Sequence, residues 1–254
     1  MFAILQRIYD DEPGNRRRLA ELRASETYSL AFSEPQPLVS VIIPTYTNVT
    51  GLVSTALPSV LEQTYQNFEV LVIGDCAPAE TAEALSAFDD SRIVYVNRER
   101  RGPYPSDPDA AARVKGAPPF NVGVRLAQGR WIAPFADDDL LRTTHLELLV
   151  GAARENRYEF CYGRAQKNAS DGTTAITGEW PPELGRVALQ ASIYHSGLTF
   201  IEHELVDGLF RTSSDKSILR RMLNAGVRFG FIDDIVVDYS WRRPAPKEDP
   251  RALG

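Results

Sequence analysis

The sequence contains little cysteine and little histidine. Two cysteines, Cys76 and Cys161, occur among 254 residues, which is too few for a disulfide framework or a cysteine-rich metal site. The three histidines, His145, His195 and His203, do not have the spacing of a zinc site. This cysteine usage is typical of a reducing compartment, and we expect a cytoplasmic protein.

Long apolar runs and large basic blocks are missing as well. The longest uncharged stretch, residues 35–61, contains Pro44, Pro58 and many polar residues, so it cannot form a continuous apolar helix across a bilayer. Acidic residues close to the N-terminus leave no recognisable signal peptide. The net charge is −6 and the one basic block is short, at residues 16–18, which disfavours nucleic acid as the main partner. Peripheral contact with a membrane stays open.

Between residues 38 and 150, short apolar runs alternate with segments of helical character. Each run has the length and composition of a strand buried on both faces. The alternation predicts βαβ units and therefore an α/β fold with a mostly parallel, Rossmann-like sheet flanked by helices. The predicted strands are 38–43, 68–73, 92–96, 130–135 and 159–164, and the predicted helices are 49–63, 79–88, 120–127 and 143–155.

The remaining segments are less regular. Residues 15–23 have the pattern of a short charged helix, and residues 98–116, rich in Arg, Pro and Asp, are predicted to form an irregular loop. Beyond residue 180 the pattern predicts one helix near 184–192 and another over 215–224. The fold is expected to close with two strands, 227–232 and 235–241.

Three adjacent carboxylates, Asp137, Asp138 and Asp139, follow the predicted strand 130–135. Neighbouring carboxylates repel one another unless they are solvated or neutralised by a cation. In a parallel α/β sheet, ligands bind at the carboxyl ends of the strands. We therefore expect the chemistry of the protein here, although a solvated acidic turn before the helix at Thr143 also explains the pattern.

Several segments carry a more specific signal through their order and spacing. They are VSVIIPTY at 39–46, QTYQNFEV at 63–70, NVG at 121–123 with Ala127 and Gly129, and WIA at 131–133 before the three aspartates. Together they resemble the family 2 glycosyltransferases with the GT-A nucleotide-sugar fold. The chain departs from the family pattern at Gly74 and Ala136, where the family often has Asp, and at Phe120, where it often has Arg.

The resemblance implies a metal ion in the acidic loop. Magnesium or manganese, Mg²⁺ or Mn²⁺, would bridge the two phosphates of a nucleotide-diphosphate sugar and neutralise the leaving group. Asp138 and Asp139 are the expected metal ligands, with Asp138 as the first choice, and Asp137 is expected to contact the nucleotide. Because Ala136 replaces the usual first Asp, Asp137 and Asp139 are the alternative metal-binding pair.

The resemblance also implies a nucleotide site at the ends of the first two strands. Pro44, Thr45 and Tyr46 are expected to frame the base, and Asp75 to accept a hydrogen bond from uracil N3. Asn121 is expected to contact the nucleotide. Simpler roles remain open: Tyr46 in the core, Asp75 as a cap before a helix, and Asn121 as the cap of its own helix.

A displacement reaction needs a general base that takes the proton of the acceptor hydroxyl. The resemblance places this base at the start of a late helix, where Asp215 stands, although an Asp in a first helical turn is also favoured by the helix dipole. The rival carboxylates are Glu202, Glu204 and Asp207. Trp180 and His195 are the candidates for acceptor contact, and packing accounts for them equally well.

The expected function is that of an inverting glycosyltransferase. It would move a sugar from a UDP- or dTDP-sugar to the hydroxyl of a saccharide, a lipid-linked acceptor or a small molecule. One alternative is a non-catalytic nucleotide-sugar-binding protein. The other is a sugar nucleotidyltransferase, which is disfavoured because no Gly-rich, Lys-containing loop follows the first strand.

The resemblance also suggests how the chain is divided. We expect an extension at 1–36, one GT-A domain at 37–243 and a tail at 244–254. Within the domain, residues 37–140 are the expected nucleotide-binding half. Residues 141–243 are the expected acceptor half, because the match to the family thins beyond Trp180.

Overall fold

The structure is a computed structural model that describes residues 2–169 and 171–241. The tail predicted at 244–254 lies outside the described residues. Within the described part of the chain, no helix is both long and apolar enough to cross a bilayer.

The described residues contain nine strands, which form a single mixed sheet. In chain order the strands are β1 (Val39–Thr45), β2 (Phe68–Gly74), β3 (Ile93–Asn97), β4 (Trp131–Pro134), β5 (Leu140–Leu141), β6 (Phe160–Ala169), β7 (Thr174–Thr177), β8 (Ser192–His195) and β9 (Phe229–Trp241). Their order across the sheet is β3-β2-β1-β4-β8-β6-β9-β5, with β7 paired to β6.

The strand directions confirm the predicted α/β class with a mostly parallel sheet. Strands β3, β2, β1 and β4 are parallel neighbours. Strand β8 is antiparallel to both β4 and β6, so β6 and its parallel partner β9 run in the same direction as the first four. Strands β5, β7 and β8 run the opposite way.

Helices on both faces bury the sheet. In chain order they are α1 (Phe2–Ala24), α2 (Leu30–Ser33), α3 (Val49–Gly51), α4 (Leu57–Leu61), α5 (Ala79–Leu85), α6 (Pro108–Arg113), α7 (Ala117–Leu126), α8 (His145–Asn156), α9 (Val206–Leu209) and α10 (Ser214–Ala225). A π-helical turn, Leu52–Ala56, joins α3 to α4. Short 3₁₀ turns occupy Leu189–Ala191 and Ser196–Leu198.

The two faces of the sheet belong to two different cores. On β1, Val41 and Ile43 pack into one core, while Ile42 packs into the other. On β2, Val72 and Leu71 divide in the same way. Because successive strand residues point to opposite faces, a strand covered on both faces must be apolar at nearly every position. This explains why these strands were recognisable as continuous apolar runs.

Three sequence-based assignments are corrected by the structure. The helix predicted near 184–192 is wrong, because only the 3₁₀ turn at Leu189–Ala191 forms there. The two strands predicted at 227–232 and 235–241 are one strand, β9, which continues through two register shifts, one on each side of Arg164. The loop 98–116 is not entirely irregular, because Asp107 caps the short helix α6 through its side chain.

The N-terminal segment packs against the late part of the chain. Arg23 forms a two-pronged ion pair with the buried Glu159, at 2.7 and 2.8 Å, and the Tyr28 hydroxyl donates to the same carboxylate at 2.7 Å. Leu19 of α1 is 1% exposed and joins the core that contains Met222 of α10. Residues 1–36 therefore include structural contacts that help to hold β6 and α10 in place.

Candidate active site

A cavity of about 510 Å³ opens at the carboxyl ends of β1, β2 and β4. This is the edge of the sheet at which parallel α/β proteins bind ligands. Seven of the residues predicted for the site line this cavity, and they come from four separate parts of the chain. They are Pro44, Thr45, Tyr46, Asp75, Asp137, Asp138 and Asp215.

Asp137 is held in place by neighbours from the end of β1. The Thr45 hydroxyl donates to Asp137 Oδ2 at 2.7 Å, and the Asn48 side-chain amide donates to the Asp137 backbone carbonyl at 3.0 Å. A Cβ atom at Gly51 would lie 2.7 Å from that carbonyl, so glycine permits the close approach. Burial raises the pKa of Asp137, while the hydrogen bonds from Thr45 and Asn48 act in the opposite direction.

The next two carboxylates differ in exposure. Asp138 is exposed and lines the cavity. Asp139 is 4% exposed, does not line the cavity, and accepts a hydrogen bond from Gln190 Nε2 at 3.2 Å. Asp139 is therefore placed differently from the expected metal ligand, because its carboxylate is turned into protein contacts while Asp138 faces the cavity.

Asp75 is the anchor of the segment that follows β3. Its side chain is almost completely buried and accepts hydrogen bonds from the Tyr104 hydroxyl at 2.6 Å, the Gly102 amide at 3.2 Å and the Arg98 guanidinium. Burial, followed by the hydrogen bond to Asp75, raises the pKa of Tyr104, so this phenol remains a donor at neutral pH. The carboxylate thus holds the segment against the end of the sheet.

The same segment places a cation over Tyr46. The Arg101 guanidinium lies 4.0 Å from the centre of the Tyr46 ring, and the Tyr46 side chain is 38% exposed. Both residues line the cavity. A guanidinium over an aromatic face is a favourable cation–π arrangement, so this part of the cavity offers flat stacking surfaces.

Lys115 adds a second cation to the cavity. It is exposed, lines the cavity, and precedes Gly116, whose φ of 82° allows the sharp entry into α7. Asn121 of α7 does not line the cavity. Instead its side chain bonds both backbone groups of His203, accepting from N–H at 3.1 Å and donating to C=O at 2.9 Å. The structure therefore gives Asn121 a bridging position rather than a place in the cavity wall.

Asp215 lines the cavity from the first turn of α10. The Ser213 side chain caps this helix by accepting from the Lys216 amide at 3.3 Å. The Asp215 side chain is 54% exposed. Desolvation by the protein around it raises its pKa, and a hydrogen bond with Ser214 acts in the opposite direction. The rivals Glu202, Glu204 and Asp207 do not line the cavity.

The two predicted acceptor residues lie outside the cavity. His195 is 4% exposed; its Nε2–H donates to the Tyr28 carbonyl at 3.1 Å and its Nδ1 accepts from the Gly197 amide at 2.9 Å. Trp180 is 58% exposed and does not line the cavity. Neither placement supports acceptor contact, because His195 is committed to backbone groups and Trp180 faces solvent.

Several cavity residues were not predicted for the site. Arg101 was recognised as part of an arginine-rich loop, but the residues that join it were not assigned to the site. These are Tyr104, Lys115, Gln190 and His203, together with Asn48 behind Asp137. The Lys115–Gly116 pair directly before a helix was the one available signal, because backbone groups and a cation at such a point suit anion binding.

Comparison with known proteins identifies the family. The glycosyl transferase family 2 model matches residues 40–222. An uncharacterized glycosyltransferase of Rickettsia bellii is 32% identical over 153 residues, which cover 58% of this chain and 20% of the relative. UDP-Glc:alpha-D-GlcNAc-diphosphoundecaprenol beta-1,3-glucosyltransferase WfgD of Escherichia coli is 35% identical over 127 residues, or 50% of this chain and 45% of that protein. The chain thus spans well under two thirds of these relatives.

The fold also matches a solved structure. S. aureus TarS 1-349 in complex with UDP-GlcNAc superposes with a TM-score of 0.62 at 18% identity, covering 81% of this chain and 59% of that one. At this identity the likeness concerns the fold, which is the GT-A fold expected from the sequence. The family model spans β1 to α10 and so includes every strand end and helix that lines the cavity. The chain belongs to glycosyl transferase family 2.

Proposed function

We propose that this chain transfers a sugar from a UDP- or dTDP-sugar to an acceptor hydroxyl with inversion at the anomeric carbon. The observation that carries the proposal is that Asp138 and Asp215, far apart in sequence, face one cavity. Support comes from WfgD, named as using UDP-Glc, and from TarS, solved with UDP-GlcNAc. The acceptor class stays open among saccharides, lipid-linked acceptors and small molecules.

The nucleotide base is assigned to the end of the cavity between Tyr46 and Asp75. Tyr46 and the Arg101 guanidinium supply faces on which a base can stack. Asp75 Oδ2 already accepts from Tyr104, and a carboxylate oxygen has a second lone pair for the N3–H of a uracil or thymine ring. Because Arg101 and Tyr104 come from one segment, base binding is expected to involve an adjustment of that segment.

The diphosphate is assigned to the region between Lys115 and Asp138. Lys115 supplies a fixed positive charge beside the leaving group. Asp137, held by Thr45 and Asn48, is placed to contact the nucleotide from the strand side. These groups hold the donor so that the reacting carbon faces Asp215.

The donor set of the acidic loop fits a magnesium or manganese ion shared with the substrate. Among the described residues, no group of three His, Cys, Asp or Glu side chains is arranged to hold a metal alone. Magnesium is commonly bound by one or two carboxylates, substrate phosphates and water, and the exposed Asp138 provides such a carboxylate. When bound, the ion would neutralise charge on the departing diphosphate. Asp138 is the proposed ligand, with Asp139 assigned to support of the loop.

Asp215 is the proposed general base. The acceptor oxygen attacks the anomeric carbon from the face opposite the diphosphate, so the new C–O bond forms as the bond to the phosphate oxygen breaks. Asp215 takes the proton of the acceptor hydroxyl, and the nucleoside diphosphate leaves with the electron pair. Attack from the opposite face inverts the configuration. The raised pKa of Asp215 makes its carboxylate, when ionised, a stronger base than that of an ordinary Asp.

The direct test compares Asp215→Asn with the wild type in a donor and acceptor screen that detects released nucleoside diphosphate. Because general-base assistance contributes about 10²–10⁴-fold, the variant should lose turnover on that scale while donor affinity, measured by calorimetry, stays the same. Glu204→Gln is the matched control, since Glu204 does not line the cavity. Wild-type rates in Asp215→Asn would refute the assignment. Donor binding without turnover under any condition would favour the non-catalytic binding protein.

A further inference from the structure

His203 is fixed in the wall of the cavity by contacts on two sides. Its backbone N–H and C=O are both bonded to the Asn121 side chain, at 3.1 and 2.9 Å. Its ring lies edge-on to Phe120, with the ring centres 4.9 Å apart. These contacts leave the imidazole little freedom to reorient.

The imidazole itself has no hydrogen-bond partner among the described residues. The side chain is 5% exposed, and neither Nδ1 nor Nε2 is accessible to solvent or bonded. The contrast with His195 is direct, because both ring nitrogens of that residue are bonded to backbone groups. An unpaired polar group in the interior destabilises a fold. Stability therefore does not explain the presence of a histidine at this position.

The carboxylate of Asp215, which lines the same cavity, is close to this imidazole. Nδ1 of His203 lies 3.9 Å from Asp215 Oδ1, which is longer than a hydrogen bond by about 1 Å. Burial, followed by the charge of Arg221, lowers the pKa of His203 to about 3. The ring is therefore neutral and carries one N–H that can be donated. Both nitrogens are closed to solvent, and a shift of about 1 Å would bring Asp215 Oδ1 within hydrogen-bond distance of Nδ1.

We propose that His203 is a positioning residue for Asp215. In the complex with both substrates, Nδ1–H of His203 donates to Asp215 Oδ1 and directs Oδ2 towards the acceptor hydroxyl. The hydroxyl proton moves to Asp215, and His203 keeps its own proton throughout the reaction. The bond also stabilises the ionised carboxylate, which the reaction requires. This inference rests on the proposed function of Asp215.

The test uses three variants of His203 in the complete protein. His203→Leu removes both nitrogens, His203→Asn retains an amide N–H near the position of Nδ1, and His203→Gln places its amide nearer to Nε2. His203→Leu should lower kcat by about 10- to 100-fold, which is the range of a hydrogen bond to a charged group. KM for the donor and the affinity for UDP should not change, and the melting temperature should stay equal or rise. His203→Asn should recover part of kcat, and His203→Gln should not.

A matched control distinguishes this role from packing. His195→Leu removes two hydrogen bonds to the backbone, so it should lower the melting temperature while folded protein keeps its kcat. The same pattern in His203→Leu, a lower melting temperature with unchanged kcat, would overturn the inference. If His203→Leu fails to fold, the kcat values of His203→Asn and His203→Gln are compared instead. Equal kcat values in these two variants would overturn the inference.

A double variant separates this inference from the proposed function. If His203 acts through Asp215, adding His203→Leu to Asp215→Asn should slow the reaction no further. The inference would be overturned if the loss of kcat in the double variant equalled the product of the two single losses. It would also be overturned if His203→Leu kept the wild-type kcat while Asp215→Asn was inactive. Both results leave the proposed base in place. A different result, a wild-type rate of transfer in the single variant Asp215→Asn, would refute the assignment of Asp215 as the base. The role of His203 would then fall as well, because it depends on that assignment.

Discussion

The buried histidine at the start of α8 makes the stability of this protein dependent on pH in a way that can be calculated. His145 is 1% exposed, and its Nδ1–H donates to the Val236 carbonyl at 3.1 Å. Burial lowers its pKa from 6.5 to about 4, although the bond to Val236 acts in the opposite direction. The folded protein therefore keeps His145 neutral at a pH where the unfolded chain binds a proton.

The sign and size follow from proton linkage. Stability falls with falling pH wherever the unfolded state binds more protons, so the loss begins near the ordinary histidine pKa and continues to the folded pKa of about 4. Between about pH 7 and about pH 5, His145 alone should lower the free energy of unfolding by about 2 kcal/mol. This change in the free energy of unfolding depends little on the exact folded pKa, because His145 is neutral in nearly all folded molecules at both pH values.

The perturbation is His145→Asn, which removes the titrating ring and retains an amide N–H for the Val236 carbonyl. Urea unfolding of both proteins, followed by circular dichroism at several pH values, gives the free energies. The wild type should lose about 2 kcal/mol more than the variant between about pH 7 and about pH 5. Carboxyls with raised pKa values, such as Asp207, act with the opposite sign but cancel in the difference. Parallel curves for the two proteins would refute the reasoning.

Three further predictions concern the site and its support. Asp138→Asn, or removal of divalent cations with a chelator, should abolish most turnover and weaken UDP binding, whereas equal binding by calorimetry with metal and with chelator would contradict the metal assignment. Tyr104→Phe removes one hydrogen bond to Asp75; it should reduce stability by about 1 kcal/mol in thermal unfolding and alter UDP affinity. Glu159→Gln should reduce stability by about 3 kcal/mol, because Arg23 loses a buried charge partner. The hydrogen bonds to Glu159 outweigh the effect of burial and lower its pKa. The difference in stability between the two proteins should therefore disappear as acid protonates the wild-type carboxyl. A difference that does not change with pH would show that packing is responsible.

The central strands were predictable because burial on both faces leaves a direct trace in the sequence. β1, β2 and β4 all lie within one or two residues of the apolar runs that predicted them. β9 was divided in two because Asp233 and Asp234 break the apolar pattern, and a register shift that absorbs them is a property of strand pairing. α6 was missed because a short helix in a segment rich in Arg, Pro and Asp has no apolar face to reveal it.

Apart from Asp215, which the resemblance to the family indicated, the predicted residues that line the cavity follow the ends of strands. Asp75, Asp137 and Asp138 follow buried strands, so their meeting at one edge of the sheet follows from the parallel arrangement. His203 and Tyr104 reach the cavity from irregular segments, and their positions depend on contacts with Asn121 and Asp75 that no local pattern encodes. The exposure that separates Asp138 from Asp139 likewise depends on Gln190, a residue from a distant turn.

The attachment of α1 to the end of the domain has a consequence for how the protein is made. Arg23 donates to the carbonyl of Gly226, which lies 203 residues later in the chain, and to Glu159, 136 residues later. At about 5–20 residues per second, α1 leaves the ribosome roughly 10–40 seconds before its last partner is synthesised. During that time the cores that contain Leu19 and Tyr28 are incomplete, because late members such as Met222 and Val237 have not been made. The nascent chain therefore emerges with exposed apolar side chains, and its first helix is among the last elements that can dock.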